Sequence, residues 1–423
     1  MLLKSRPFGQ RYAFVVAAVT FICLLIAAGL RAAPGVLLVP WTQSLGWSRG
    51  VISLAIAIGI FLYGLTGPFA AALMLSLGIR RVLIGALALM SAATLASYFM
   101  TAPWQLMLTW GVLSGLASGC VAMTLGATIV NRWFVAHRGL VMGLLSASTS
   151  TGFLIFLPLF AYITTRAGWQ PVVLLIAAAA AALIPLVFIL LPERPADAGL
   201  VPYGTTYNTK PAAAALPQNA LKNAFATLFR AARSRNFWLL FGTFFVCGLT
   251  TNGLVGTHLI ALCADHGLGQ VRGSSLLAAM GAFDIIGTTA SGWLTDRYDS
   301  RKLLFIYYGI RGASLIYLPY SNFSFESLSF FSILYGLDWI ATVPPTLKLT
   351  NQLFGDRDAP IIFGWIAAGH QLGAATAALG AGLIRQIEGQ YLPAFVIAGA
   401  IAILAAAASL TIGRVRVKAA GMA

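Results

Sequence analysis

The chain has 423 residues, 59% of them hydrophobic and only 9% charged, and its mean hydropathy is +0.86. A soluble domain carries about a quarter charged residues, so this composition excludes one and marks a polytopic membrane protein. The formal charge of +16 would suit nucleic acid, but the placement of the charges, taken up below, assigns it to anionic lipid headgroups instead.

Twelve apolar spans are predicted, roughly at 12–39, 51–76, 82–100, 104–130, 139–164, 170–191, 237–262, 273–295, 303–320, 327–352, 359–384 and 391–412. Each is near the ~20 residues that a bilayer crossing needs. Most connections are a few residues, so neighbouring spans run antiparallel. Basic residues ahead of the first span give it the look of a signal peptide, but its length and the eleven spans that follow favour an uncleaved first helix. The fourth span holds Gly115-Leu-Ala-Ser-Gly119, a spacing suited to close helix packing. Between the sixth and seventh spans lies 192–236, with Pro192, Pro195, Pro202, Pro211 and Pro217 and then mixed basic and apolar residues at 221–235. It reads as a flexible linker ending in a short amphipathic helix on the membrane. The chain is thereby divided into a six-helix bundle over 1–191, the linker over 192–236, and a second six-helix bundle over 237–423. In the tenth span Pro344-Pro345 must interrupt the helix and bend it. Trp41, Trp47, Trp104 and Trp169 fall near one boundary, as an aromatic belt would. The four cysteines lack paired spacing and read as small buried hydrophobes.

Charge sets the orientation. Of 27 Lys and Arg, 20 fall in alternate segments beginning with the N-terminus, from Lys4, Arg6 and Arg11 through to Arg414, Arg416 and Lys418. The opposite loops hold four, Arg49, Arg166, Arg272 and Arg385, and three lie inside spans. By the positive-inside rule both termini are cytoplasmic.

Between the eighth and ninth spans stands Ser291-Gly-Trp-Leu-Thr-Asp-Arg-Tyr-Asp-Ser-Arg-Lys302. A worn copy, Ala70-Ala-Ala-Leu-Met-Leu-Ser-Leu-Gly-Ile-Arg-Arg81, lies 221 positions earlier and has Leu75 where the other has Asp296. The same offset pairs Gly115 with Gly336 and Gly143 with Gly364. This loop resembles the signature of the major facilitator superfamily. The resemblance implies two pseudo-symmetric six-helix bundles around a central cavity and an all-α membrane fold. Gly46-Trp-Ser-Arg49, Arg132-Trp-Phe134 and His137-Arg-Gly-Leu-Val-Met-Gly143 resemble the bacterial oxalate/formate-antiporter and monocarboxylate-porter branch. Thr251-Asn-Gly-Leu-Val-Gly-Thr-His258 and Tyr335-Gly-Leu-Asp-Trp-Ile-Ala-Thr-Val-Pro-Pro345 resemble bacterial members of the superfamily. Animal monocarboxylate porters carry an Asp and an Arg one turn apart in the eighth helix. Here Asp284 matches the acid, and Thr288 stands where the Arg would be.

An ionisable side chain at mid-bilayer is costly, so each needs a partner or a task. Arg31 sits just before Pro34-Gly35 in the first span. Its forked donors suit a carboxylate, which would make it the anion anchor; the plainer alternative is a snorkelling side chain, or one that bonds carbonyls freed by Pro34. The offset takes it to Asn252, on a helix that lines the cavity by resemblance. Asp284 and Arg311 lie at similar depths, about 18 and 12 Å from the cytoplasmic end, so they form either a buried charge pair or a proton site that opens during transport. Asp338 is an alternative partner for Arg311. The offset takes Asp284 to Tyr63, a cavity hydroxyl. His370-Gln371 fall on Thr149-Ser150, inside the polar run Ser146-Ala-Ser-Thr-Ser-Thr151, which suggests one shared site. Lys348 reads as a snorkelling residue.

There is no phosphate loop and no His-Glu-x-x-His, so ATP drive and zinc hydrolysis lack their parts. No catalytic residue, metal ligand or cofactor is expected, and a monomer suffices for the fold. The expected function is secondary active transport, by alternating access, of a small organic anion such as a monocarboxylate, with a proton or a counter-anion. The substrate site is assigned to Arg31, Tyr63, Ser150, Asn252, His370 and Gln371. Arg80, Arg81, Asp296, Arg297 and Arg301 are expected to gate the cytoplasmic side, in a bacterial inner membrane. The rival within transport is efflux of hydrophobic or cationic compounds. A membrane enzyme would gather its polar groups at one interface, and a sensor would carry an output domain; neither pattern is present in the sequence.

Overall fold

The computed structural model describes residues 9–205 and 220–413. The predicted basic residues Lys4, Arg6, Lys210, Arg414, Arg416 and Lys418, with Pro211 and Pro217, lie outside them. The first bundle comprises α1 (Tyr12–Leu45), α2 (Arg49–Ser76), α3 (Ile79–Ser97), α4 (Pro103–Trp133), α5 (Arg138–Ala167) and α6 (Gln170–Leu190). A short helix, α7 (Ala220–Ala231), precedes the second. That bundle comprises α8 (Arg235–Asp265), α9 (Gln270–Arg297), α10 (Ser300–Tyr320), α11 (Phe325–Asp338), α12 (Val343–Glu388) and α13 (Leu392–Ser409). Gly355, at φ 76°, breaks α12 into the end of the tenth predicted span and the whole of the eleventh.

Local chemistry sets the boundaries. Gly46, Gly168 and Gly389 end α1, α5 and α12; the first and last of these sit in the left-handed region, where a side chain is disfavoured. Ser48, Ser234 and Asp299 cap α2, α8 and α10 with side-chain oxygens that accept backbone N–H bonds. Among the described residues eight segments are long and apolar enough to cross a membrane: all six of the first bundle, then α8 and α13. Helices α9 to α12 carry the buried or half-buried polar groups Asp284, Arg311, Asp338, Lys348 and His370.

The two bundles repeat one packing scheme. In the first, α1 packs on α5, α2 on α4 and α3 on α6; in the second, α8 packs on α12, α9 on α11 and α10 on α13. The offset of 221 is physical as well as sequential. A Cβ on Gly115 would stand 2.8 Å from the carbonyl oxygen of Gly59, and one on Gly336 would stand 2.8 Å from that of Met280, which is Gly59 plus the offset. Both glycines let two backbones approach closely. The bundles meet along α2 with α12, α5 with α9, and α1 with α8.

The predicted linker is held at both described ends. Tyr203 exchanges backbone bonds with Trp133 and Val135, at 2.8 Å each, and its ring packs against Phe14. Helix α7 lies on α12, through Arg230–Asp358 at 2.9 Å and Phe225 against Trp365. The predicted aromatic belt needs correction. Trp104 is 61% exposed, but Trp41 and Trp169 are buried in the packed core, Trp41 edge to face with Trp110 at 5.2 Å. All four cysteines are free.

Candidate functional site

A cavity of about 370 Å³ lies between the bundles at mid-depth. Arg31, Tyr63 and Ser150 reach it from the first bundle, and Asn252, Asp284, His370 and Gln371 from the second. Helix irregularities place some of its lining. Single π-helical turns run over Met107–Leu113 in α4 and Leu249–Val255 in α8. The first brings in Trp110 and the second Thr251 and Asn252. Each turn frees a carbonyl that a hydroxyl five residues on takes up: Ser114 Oγ donates to Thr109 O at 2.7 Å, and Thr257 Oγ1 to Asn252 O at 2.9 Å.

Arg31 is the exceptional member. Its guanidinium lies 4.9 Å from the centre of the Tyr63 ring, and its Nη1 is buried without a hydrogen-bond partner among the described residues. Burying an unpaired donor of a charged group is unfavourable, so this atom is poised for a ligand. Asp284 is 3% exposed and is held by neutral donors only. Ser150 Oγ donates to it across the bundle interface at 3.1 Å, Thr288 Oγ1 at 2.9 Å, and the backbone N of Ile340 at 3.0 Å.

Arg311 goes elsewhere. Its Nε bonds Asp338 Oδ2 at 2.6 Å, and its Nη1 reaches Cys247 Sγ at 3.0 Å. Its Nη2 also donates to the carbonyls of Asp338 and Trp339. The charge pair is therefore Arg311–Asp338, and Asp284 stands apart from it. These contacts explain the break between α11 and α12 at residues 339–342. The helix stops there because Pro344 and Pro345 open the next one and lack N–H groups. The freed groups are bonded by side chains: Ile340 N by Asp284, two carbonyls by Arg311, and Ala341 O by Ser291 at 2.6 Å. Lys348, read as snorkelling, bonds the Thr295 carbonyl at the end of α9.

At one end of the molecule a cluster that the sequence reading did not assemble joins the bundles. Arg49 of α2 grips both oxygens of Asp265, at 2.8 and 3.0 Å, and Arg385 shares the same acid at 2.6 Å. Tyr391 bonds Arg49 and His258, and Gly50 N donates to Gln386. Its signal was three charges at the ends of spans two, seven and eleven on one face. The expected gating residues lie at the other end, and their bonds and ring contacts among the described residues stay within one bundle. Arg80 covers the Phe188 ring, Arg297 the Trp293 ring, and Arg301 pairs with Asp299 at 2.7 Å. That bond to Arg301 holds the Asp299 carboxyl below the usual carboxylate range. Arg81 and Asp296 are exposed. The acid missing at Leu75 has a local counterpart: Glu193 accepts the N–H groups of Ile79 and Arg80, at 2.6 and 3.0 Å, and so caps α3.

The family model described as Major Facilitator Superfamily matches residues 20–357. The chain belongs to that superfamily. It is a membrane-embedded transporter, not an enzyme. The transporter is 25% identical over 365 residues to the uncharacterized MFS-type transporter YcxA of Bacillus subtilis (strain 168), with 84% of each chain covered. It is 24% identical over 423 residues to monocarboxylate transporter 13 of Rattus norvegicus, covering 97% of this chain and 91% of that one. Its fold matches a bacterial homolog of the human lysosomal transporter Spinster, solved inward-facing and unoccupied. The TM-score is 0.75 at 13% identity, covering 97% and 98% of the two chains.

Proposed function

We propose that the transporter moves a small organic anion, a monocarboxylate, by alternating access, together with a proton or in exchange for another anion. The observation that carries this is the unpartnered Nη1 of Arg31 at the central cavity. A guanidinium offers paired donors that match a carboxylate, and an anionic acceptor satisfies both its hydrogen bonds and its charge. Relationship to a protein named as a monocarboxylate transporter supports the same class. In this reading Tyr63, Ser150, Asn252, His370 and Gln371 complete the substrate site. Asp284 carries the proton, since its carboxylate has no cationic partner within hydrogen-bonding distance.

The moving units are 1–191 and 237–423, with 192–236 between them, in a bacterial inner membrane. The basic face and both termini are cytoplasmic. The Arg49–Asp265–Arg385 cluster then closes the outer side, and the cavity opens inward. Asp284, an acid at the cavity held by neutral donors only, favours one rival, a cationic solute seated on it. A thermal-shift screen of purified protein with monocarboxylates, dicarboxylates and lipophilic cations tests both. Stabilisation by carboxylates that vanishes in Arg31→Ala is expected. A ligand at 100 times its Kd stabilises by about 2.7 kcal/mol, which such a screen resolves. Stabilisation by cations alone would sink the anion reading.

A further inference from the structure

The cavity's walls say more than its charge. Six aromatic side chains line it, from α2, α4, α5, α8, the break between α11 and α12, and α12: Tyr63, Trp110, Phe153, Phe244, Trp339 and Phe363. They come from both bundles. Phe153 of the first and Trp339 of the second meet edge to face at 6.5 Å across the interface. Phe244 packs on Phe363 at 5.8 Å and on the His370 ring at 4.9 Å. A second unpartnered donor belongs to this lining: Trp110 is 4% exposed, and its indole nitrogen has no hydrogen-bond partner among the described residues.

Size points the same way. About 370 Å³ is within the range of pockets that enclose drug-sized ligands, roughly 300–1,000 Å³. A two- or three-carbon acid bound at Arg31 would leave most of that volume as water against aromatic walls. A ring fills it, removes apolar surface from water, and meets ring edges and faces that favour aromatic neighbours.

We infer that the substrate is a carboxylate carried on an aromatic ring by a short chain, its anionic end on Arg31 and its ring among Phe153, Trp339 and Phe244. This rests on the anion reading and narrows it.

The test measures affinity for propionate, lactate, 3-phenylpropionate and indole-3-acetate, with 3-phenylpropylamine as the cationic control, in wild type, Arg31→Ala, Phe153→Ala and Phe153→Leu. Burying a phenyl ring predicts that 3-phenylpropionate binds about 10- to 100-fold tighter than propionate. The Phe153 variants should bind 3-phenylpropionate about tenfold more weakly and so shrink its advantage over propionate; Phe153→Leu keeps the packing if the alanine variant folds poorly. Aromatic acids binding no tighter than propionate, with both lost in Arg31→Ala, would overturn this inference and leave the anion reading standing. Tightest binding of 3-phenylpropylamine, or no carboxylate binding at all, would overturn both.

Discussion

Arg49 and Asp265, 216 residues apart in the chain, form a two-point ion pair that ties one bundle to the other. Its donor and acceptor are only 15% and 19% exposed, so salt and water screen it less than a surface pair. Asp265 also accepts from Arg385, so one acid offsets two guanidiniums. Removing the acid leaves those two like charges together, while removing Arg385 leaves Arg49–Asp265 intact.

Asp265→Ala should therefore open this end more than Arg385→Ala. The expected shift in the balance between open and closed is about tenfold, near 1.4 kcal/mol. Spin labels at Ser44 and Glu388, exposed at this end on opposite bundles, read it as a longer distance population. Unchanged distances in Asp265→Ala would show that helix packing alone closes this end.

Asp284→Asn should fold normally, because the amide oxygen can still accept from Ser150, Thr288 or Ile340 N. If Asp284 carries the proton, the variant loses proton-driven accumulation in proteoliposomes but retains substrate exchange, and its transport rate no longer depends on pH. Loss of folded protein would instead assign Asp284 to holding the helix break at residues 339–342. Ser150→Ala, which removes the one donor from the other bundle, should slow transport several-fold without lowering yield.

Arg311→Ala should be among the most damaging single changes. It strands Asp338 in a site where both are buried and frees two carbonyls of the helix break. Breaking a buried pair on one side costs about 3–5 kcal/mol. The double variant Arg311→Met/Asp338→Leu should recover much of the melting temperature, because no buried charge is left alone. A double variant no more stable than Arg311→Ala would show that the carbonyl contacts, not the ion pair, carry the effect.

Glycines paired by the 221 offset should behave as pairs. Gly115→Ala and Gly336→Ala each drive a Cβ to 2.8 Å from a facing carbonyl oxygen, so both should lower the melting temperature. Gly143→Ala and Gly364→Ala meet nothing within 4 Å and should be neutral or stabilising, by up to ~1 kcal/mol from helix propensity. A fall in melting temperature for the second pair equal to that of the first would disprove the packing account.

Much was legible in the sequence. Apolar run length gave twelve spans, because a bilayer crossing has a fixed thickness. The offset gave the repeat, and it extends to the Gly59 and Met280 contacts. Depth along a helix also follows from the sequence, at about 1.5 Å per residue. Depth and the offset together group Arg31, Tyr63, Ser150, Asn252, His370 and Gln371 as one site and set Asp284 with Arg311 and Asp338; in the structure those six and Asp284 line one cavity.

What depth does not give is direction around the helix axis or the identity of the neighbour. In a soluble protein the polar face marks the outside, but lipid is as apolar as the core, so a membrane helix carries little such pattern. Asp284 and Asp338 therefore both stood within reach of Arg311, and only packing assigned Asp338. Arg49, Asp265 and Arg385 looked like separate loop charges until three helix ends converged. Glu193 sat far from Leu75 in the chain, and folding alone placed its carboxylate on the start of α3. Composition and spacing determined a repeated membrane transporter with a few buried charges. Tertiary structure decided which of those charges are paired, and that one guanidinium nitrogen of Arg31 has no hydrogen-bond partner among the described residues.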